Sequence, residues 1–121
     1  MTSFPDPRDG MFVEDRPWGQ FQQFTLNERT TVKIITIEPN ARLSLQRHGF
    51  RAEFWQILDG EIDVTVNDRT WSAQHGEQVW VPEGAVHRMG NSGSQPGRVL
   101  EVGYGTFRED DIVRLADDYD R

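Results

Sequence analysis

Hydrophobic and β-branched residues recur along this chain in short runs that glycine, proline, asparagine and aspartate separate. The runs are rich in Val, Ile, Thr and Trp, which favour strands over helices. The predicted strands are Gly19–Thr25, Thr31–Ile37, Arg42–His48, Glu53–Leu58, Glu61–Val66, Thr70–Ala73, Gln78–Val81, Val86–Gly90 and Arg98–Gly103. Such dense strands with short turns between them predict an all-β sandwich or barrel.

Three turn signals and one helix signal interrupt this strand pattern. Asp59-Gly60 and Asn67-Asp68 predict hairpins, and Pro82 with Gly84 predicts a tight hairpin turn before the strand that carries His87. Residues Glu109–Ala116 begin with three acids, which suits a helix N-terminus, and contain an apolar face. We therefore expect an all-β domain that ends in a short helix or an extended arm.

The length of 121 residues suits one domain that buries roughly two-thirds of the surface of its unfolded chain. We predict an N-terminal arm over residues 1–15 and a single domain over residues 16–121. No apolar run approaches the roughly 20 residues of a membrane span, and the first residues, MTSFPDPRDG, lack a signal-peptide pattern. We expect a cytoplasmic protein that binds no membrane.

Charge and cysteine content narrow the chemistry. The net charge of −7 provides no basic stripe to neutralise phosphates, so a nucleic-acid partner is not expected. The chain has no cysteine, which leaves imidazole, carboxylate and amide groups as metal ligands. A small anion is still a possible ligand, since Lys33, the only lysine, and several arginines can converge on one site.

Four nitrogen and oxygen donors have positions that suit a metal site. Gln46 and His48 are two residues apart on one predicted strand, so their side chains share a face. Glu53 begins the next strand at the edge of an apolar face, where a carboxylate needs a partner such as a cation. A lone histidine after a turn, such as His87, is usually a surface or core residue. Together with the other three donors, however, it completes a set that suits a divalent first-row metal.

These residues belong to two sequence motifs. The stretch GEQVWVPEGAVHRMGN resembles the second motif of the cupin superfamily, G-x5-P-x-G-x2-H-x3-N. Its defined positions are Gly76, Pro82, Gly84, His87 and Asn91. The first cupin motif, G-x5-H-x-H-x3-4-E-x6-G, is matched with two departures, Asn for the first Gly and Gln for the first His. Its positions here are Asn40, Gln46, His48, Glu53 and Gly60. The resemblance implies a jelly-roll barrel, the cupin double-stranded β-helix, with one bound metal.

A narrower resemblance runs from Arg16 to the last residue. RPWG, LSLQRH, RAEFW, PEGAVHR, LEVGYG and EDDIVR are similar to the C-terminal cupin domain of bifunctional mannose-1-phosphate guanylyltransferase/mannose-6-phosphate isomerases. The Gln-x-His pair also resembles the metal-ligand pair of phosphomannose isomerases. Nucleotidyl transfer is not implied, because the glycine-rich nucleotide-binding segment has no counterpart. Where this family reads HHHRAEHW, the chain has Gly49, Phe50 and Phe54 in place of three histidines.

The resemblance implies interconversion of mannose 6-phosphate and fructose 6-phosphate by proton transfer between C1 and C2. A divalent ion held by the four donors, Zn²⁺ first and Mn²⁺, Fe²⁺, Co²⁺ or Ni²⁺ as alternatives, would stabilise the developing negative charge. The candidates for proton handling are Lys33, Glu101 and Arg88. The candidates for substrate binding are Arg51, Arg88 and Trp18. Each has a plainer interpretation as an exposed strand residue, a rim charge, a salt-bridge partner or a core aromatic.

Two other functions stay open at this stage. One is a non-catalytic metallo-cupin that binds a sugar or another small anion, and the lost histidines favour it. The other is a non-haem iron oxygenase, since two histidines and a carboxylate suit iron, although the glutamine disfavours it. We also expect a homodimer, because a small barrel leaves edge strands that need cover.

Overall fold

The computed structural model describes residues 5–108 and 110–119, and within them the chain forms twelve strands after a 3-10 turn at Pro7–Gly10. The strands are β1 (Phe12–Arg16), β2 (Gly19–Gln23), β3 (Thr30–Ile37), β4 (Ala41–Arg42), β5 (Leu45–Arg47), β6 (Arg51–Asp59), β7 (Ile62–Val66), β8 (Arg69–Ala73), β9 (Gln78–Val81), β10 (His87–Asn91), β11 (Gly97–Gly105) and β12 (Val113–Ala116). The all-β prediction is confirmed.

The strands form two main antiparallel sheets and a separate hairpin. One sheet has the order β3-β11-β6-β9, and the other has the order β12-β5-β10-β7-β8, with β4 also paired to β10. The hairpin consists of β1 and β2. The main core lies between the two sheets, because buried residues of both, such as Ile57 from β6 and Val64 from β7, belong to one cluster. This is the jelly-roll arrangement expected from the sequence.

Strand β6 is buried on both of its faces, which explains its unbroken hydrophobic sequence. Trp55 and Ile57 point into the main core between the sheets. Phe54 points to the outer face, where it packs against Phe24 at 5.9 Å between ring centroids and belongs to a second cluster that Met11 joins. Residues that precede and follow β1 and β2 therefore cover part of the outer face.

Two of the three predicted hairpins are instead crossovers between the sheets. β6 and β7, on either side of Asp59-Gly60, lie in different sheets, and so do β9 and β10 on either side of the Pro82 turn. The turn residues are as predicted, since Gly84 has φ +82° and the Ala85 N–H donates to the Pro82 carbonyl oxygen at 3.0 Å. The third prediction is confirmed, because Val66 pairs with Arg69 across Asn67-Asp68. Local turn chemistry predicts a reversal of the chain but not the sheet that the next strand joins.

The helix predicted over Glu109–Ala116 is wrong for the residues that the structure describes, and Glu109 lies outside them. Val113–Ala116 is strand β12, which pairs with the free edge of β5. A helix of two turns has little stability of its own, whereas pairing with an existing sheet satisfies backbone groups at once. The segment is therefore extended, which was the second alternative.

The predicted strand Arg42–His48 is divided into β4 and β5, which both pair with β10. The N-terminal arm predicted for residues 1–15 contains strand β1, so part of it is ordered by pairing with β2. Among the described residues, no helix has the length and apolar content needed to cross a membrane.

Candidate metal centre

Strands β5, β6 and β10 bring the predicted metal ligands to one end of the barrel interior. His48 follows β5, Glu53 lies on β6, and His87 begins β10, opposite Gln46 in register. His48, Glu53 and His87 are buried, with exposed fractions of 5%, 2% and 3%. Each of the three offers a ligand atom that lies within 4.8 Å of the other two. Gln46 lines the same pocket.

The Glu53 carboxylate lies between the two imidazoles. Its Oε2 atom is 3.3 Å from His48 Nε2, and its Oε1 atom is 3.7 Å from His87 Nε2. The two imidazole ring centroids are 5.0 Å apart. One nitrogen of each ring and both carboxylate oxygens therefore face a common point.

Backbone carbonyls set the tautomer of both histidines. His48 Nδ1 is 2.6 Å from the Asp111 carbonyl oxygen, and His87 Nδ1 is 3.0 Å from that of Ala85. A carbonyl oxygen only accepts hydrogen bonds, so Nδ1 carries the proton in both rings and each Nε2 presents a lone pair. Metal-binding histidines usually donate their other nitrogen in this way. Two lone pairs and a carboxylate that converge in a buried site fit a divalent cation.

The pKa directions agree with this donor set. Burial lowers the pKa of His87, which keeps the ring neutral near pH 7. Desolvation by itself would raise the pKa of Glu53, but its contacts with His48 and His87 and the hydrogen bond from Trp55 Nε1–H lower it well below its usual range. A neutral imidazole and an ionised carboxylate are the forms that bind metals.

Arg51 provides a positive charge beside the Glu53 carboxylate at this end of the barrel. Its Nε donates to Glu53 Oε2 at 3.3 Å, and its second terminal nitrogen donates to His48 Nε2 at 3.0 Å. Its guanidinium carbon lies 3.7 Å from the centroid of the Phe107 ring, and Lys33 Nζ lies 4.0 Å from the same centroid. Phe107 thus holds two cations beside the candidate ligands through cation–π contacts.

Glu101 is a second buried carboxyl group beside the first. It lies on β11, in register with Lys33 on one side and Trp55 on the other, and is 7% exposed. Burial, the negative charge of Glu53 and a hydrogen bond with that carboxylate raise the pKa of Glu101 to about 8. Glu101 therefore carries a proton at neutral pH and is able to exchange it.

The pocket that contains these groups has a volume of about 190 Å³. Four basic side chains line it, namely Lys33, Arg51, Arg108 and Arg114. Its apolar lining consists of Ile35, Leu43, Trp55, Met89, Phe107 and Ile112. Basic groups above a buried donor set suit an anionic, polar small molecule more than an apolar one.

Seven of the nine residues predicted for the site line this pocket. They are Lys33, Gln46, His48, Arg51, Glu53, His87 and Glu101. Arg88 and Trp18 are not among the described residues that line it. Arg88 instead donates to the carbonyl oxygens of Leu43 and Ala116, which ties β12 to the loop before β5. Trp18 lies in the turn between β1 and β2 and is 73% exposed.

The sequence interpretation missed the pocket residues that come from the C-terminal segment, among them Phe107, Arg108 and Arg114. Arg114 lies in the EDDIVR stretch, whose similarity was its only signal, and Phe107 and Arg108 lie in none of the stretches that carried the resemblance. The three departures from HHHRAEHW are not among the described residues that line the pocket, although Gly49 directly follows His48. Phe54 is on the outer face of β6, and Phe50 is 56% exposed, with the guanidinium of Arg108 at 5.7 Å from its ring centroid.

Comparison with known proteins identifies a matching family. Residues 11–117 match the family described as "Mannose-6-phosphate isomerase C-terminal". The alginate biosynthesis protein AlgA of Pseudomonas aeruginosa is 42% identical over 107 residues, which cover 88% of this chain and 22% of that protein. Mannose-1-phosphate guanylyltransferase ManC of Salmonella typhimurium is 39% identical, with the same two shares of 88% and 22%. The chain thus spans about a fifth of the length of these curated relatives.

Solved structures show the same fold. A conserved protein with a double-stranded β-helix domain from Klebsiella pneumoniae has a TM-score of 0.63 at 18% identity and covers 74% of this chain and 76% of that one. A structure described as a putative sugar phosphate isomerase from Acidithiobacillus ferrooxidans has a TM-score of 0.57 at 24% identity and covers 61% of this chain and 49% of that one. The donor set, the barrel and the match over residues 11–117 lead to one conclusion: the chain belongs to the mannose-6-phosphate isomerase C-terminal family of cupin domains.

Proposed function

We propose that this domain is a metal-dependent isomerase that interconverts mannose 6-phosphate and fructose 6-phosphate. The observation that carries the proposal is the convergence of His48 Nε2, His87 Nε2 and the Glu53 carboxylate in a basic pocket that the buried Glu101 also lines. The family supports the same substrate class. Gln46 is the proposed fourth ligand because it lines the pocket opposite His87.

A divalent ion bound by these donors, with Zn²⁺ as the first expectation, would stabilise the negative charge that develops on the sugar oxygens when a proton leaves carbon. Glu101 is the proposed group that carries the proton between C1 and C2, since it is a second buried carboxyl group that lines the same pocket as the donor set. Lys33 faces Glu101 across β3 and β11 and would orient that carboxyl group.

The phosphate group of the substrate requires cations that are nearer the mouth of the pocket. Arg108 and Arg114 are exposed and line it from the C-terminal segment, whereas Arg51 is buried against Glu53 and His48. We therefore propose Arg108 and Arg114 for phosphate contact, in place of Arg88 and Trp18. Arg51 would act closer to the donor set.

A coupled assay for fructose 6-phosphate tests the proposal. The protein is loaded with Zn²⁺, Mn²⁺ or Co²⁺, and its metal content is measured by elemental analysis. The isomerase would be supported if a chelator removes turnover, added metal restores it and Glu101→Gln abolishes it. Metal binding without turnover for any ion would instead favour the non-catalytic metallo-cupin. The second function is favoured by Phe50, which stands where the resembled HHHRAEHW stretch has histidine.

We also propose that the domain forms a homodimer. Strand β3 is the edge of its sheet in the described part of the chain, and Val32 and Ile34 on its outer face are each 57% exposed. Light scattering at micromolar concentration should give twice the mass of one chain. A monomer would contradict the proposal.

A further inference from the structure

The residues after β11 form a strap that lines one side of the pocket through Phe107, Arg108, Ile112 and Arg114. We define the strap as its described residues, 106–108 and 110–116. It begins where the Thr106 N–H donates to the Phe50 carbonyl oxygen at 3.1 Å, and it ends in β12, which pairs with β5. Both contacts are made to the chain that flanks His48. The strap is therefore attached to the same segment that supplies one of the proposed metal ligands.

Asp111 is the residue that joins the strap to this ligand. Its carbonyl oxygen is the partner of His48 Nδ1 at 2.6 Å. Its carboxylate accepts from the backbone N–H of Gly49 at 2.8 Å through Oδ1 and from that of Phe50 at 2.9 Å through Oδ2. One residue thus makes three hydrogen bonds to three consecutive residues, and these bonds hold the carbonyl against the imidazole.

We infer that Asp111 is a positioning residue for metal binding: by clamping residues 48–50 to the strap, it keeps the proton of His48 on Nδ1 and the Nε2 lone pair toward the metal. Asp111 binds neither metal nor sugar in this role. The inference rests on the metal site of the proposed function and adds a residue that acts through His48. It also links occupancy of the metal site to docking of the strap, which carries Arg108 and Arg114.

Metal binding and docking of the strap are linked because the His48 ring is held from two sides. Arg51 donates to the Nε2 lone pair, where a bound metal would take its place, and the Asp111 carbonyl accepts from the Nδ1 side. Without the clamp, the imidazole would be free to rotate or to adopt the other tautomer, in which Nε2 is protonated and cannot bind a cation. Loss of such an outer partner typically lowers metal affinity by about 10–100-fold.

The neighbouring Asp110 provides a matched control. Its carboxylate pairs with Arg108 at 2.9 Å, and its side chain is 73% exposed. Asp110→Ala removes the same charge from the adjacent position but leaves the clamp intact. Asp111→Asn is the conservative variant, because its amide oxygen still accepts from one of the two backbone N–H groups.

The experiment measures Co²⁺ affinity from the visible absorption of the bound ion and His48 protonation from imidazole ¹⁵N shifts without metal. We expect Asp111→Ala to weaken Co²⁺ binding by about 10–100-fold and to shift His48 toward mixed tautomers. Asp111→Asn should lose less affinity, and Asp110→Ala should match wild type. Unchanged affinity and an unchanged His48 spectrum in folded Asp111→Ala would overturn the inference.

A measurement on the wild-type protein guards against a variant that does not fold. Coupling between two events is reciprocal, so Zn²⁺ should slow hydrogen exchange at the Gly49 and Phe50 amides. Exchange at these amides that is insensitive to Zn²⁺ would count against the clamp. The proposed function would fail separately if the wild-type protein binds Co²⁺ but does not turn over mannose 6-phosphate.

Discussion

The two ends of the barrel interior differ in chemistry although the same strands build both. The polar end consists of Lys33, His48, Glu53, His87 and Glu101. The apolar end consists of Ile37, Trp55, Ile57, Met89 and Val99. On β6, β10 and β11, the change from polar to apolar takes place between inward residues that are two positions apart, such as His87 and Met89. Between β6 and β11 the change is offset by two residues, because Glu101 lies in register with Trp55 and Val99 with Ile57.

The difference shows that the residues that stabilise the fold and the residues that are proposed to bind a metal lie at different ends of the same strands. Apolar burial contributes roughly 25 cal/mol per Å², so the apolar end stabilises the fold. The polar end buries charged groups, which costs free energy unless hydrogen bonds and ion pairs compensate. Substitutions at the two ends should therefore affect different measurements.

The largest effect on stability should come from the apolar end. Ile57 is 1% exposed, and Ile57→Ala leaves a cavity between the sheets. We expect the free energy of unfolding of the metal-free protein to fall by about 2–5 kcal/mol. The affinity for Co²⁺ in the fraction that stays folded should change little. Denaturant unfolding and metal titration together check this, and a loss of stability below 1 kcal/mol would contradict the separation.

At the polar end, His87→Ala should have the opposite profile. It removes one of the donors that face Glu53, and we expect at least a 100-fold loss in metal affinity, about 2.7 kcal/mol. His75→Ala is the control, because His75 is exposed. Elemental analysis after dialysis reports the metal content. Stoichiometric metal in folded His87→Ala would show that the site lies elsewhere.

The buried pair of carboxyl groups predicts a pH dependence that is specific to the polar end. The pKa of Glu101 rises from 4.5 to about 8, because burial and Glu53 disfavour its charge more than Lys33 and Arg51 favour it. A folded-state pKa above the unfolded-state value means that this contribution to stability is complete below about pH 4.5. It is then lost as the pH rises through about 8.

The metal-free protein should therefore lose stability between about pH 5 and 8 through Glu101. Glu101→Gln removes the titrating group and should flatten this part of the curve. Chemical unfolding at several pH values compares the two proteins. Identical slopes would show that Glu101 is not the group responsible.

The smallest effect should come from Trp18, which belongs to neither end. Because this side chain lies in the exposed turn between β1 and β2, Trp18→Ala should change the free energy of unfolding by less than about 0.5 kcal/mol. Its affinity for mannose 6-phosphate should equal that of wild type in a calorimetric titration. Weaker binding would instead support the prediction from the sequence that Trp18 binds the substrate.

The strands, the Asn67-Asp68 hairpin and seven pocket residues could be predicted from the sequence, since these depend on local patterns. Strand alternation puts Gln46 and His48 on one face, and Pro82 with Gly84 defines the turn that precedes His87. Such features involve residues within a few positions of one another. The two cupin motifs indicated that these separate local features belong to one site.

Other features required the tertiary structure. Whether Val113–Ala116 became a helix or a strand depended on the free edge of β5, more than 60 residues earlier. Whether Arg88 entered the pocket depended on the carbonyl oxygens that it met at Leu43 and Ala116. The Asp111 clamp joins residues that are 61 to 63 positions apart.

The sequence by itself therefore determined which side chains are able to bind a metal and on which face of their strands they lie. Only the tertiary structure decided which backbone carbonyls fix the imidazole protons, which carboxyl group keeps its proton, and which C-terminal residues close the pocket. The physical reason is that alternation along a strand is a local property of the backbone. Burial, register and hydrogen-bond partners between strands arise only when distant segments pack together.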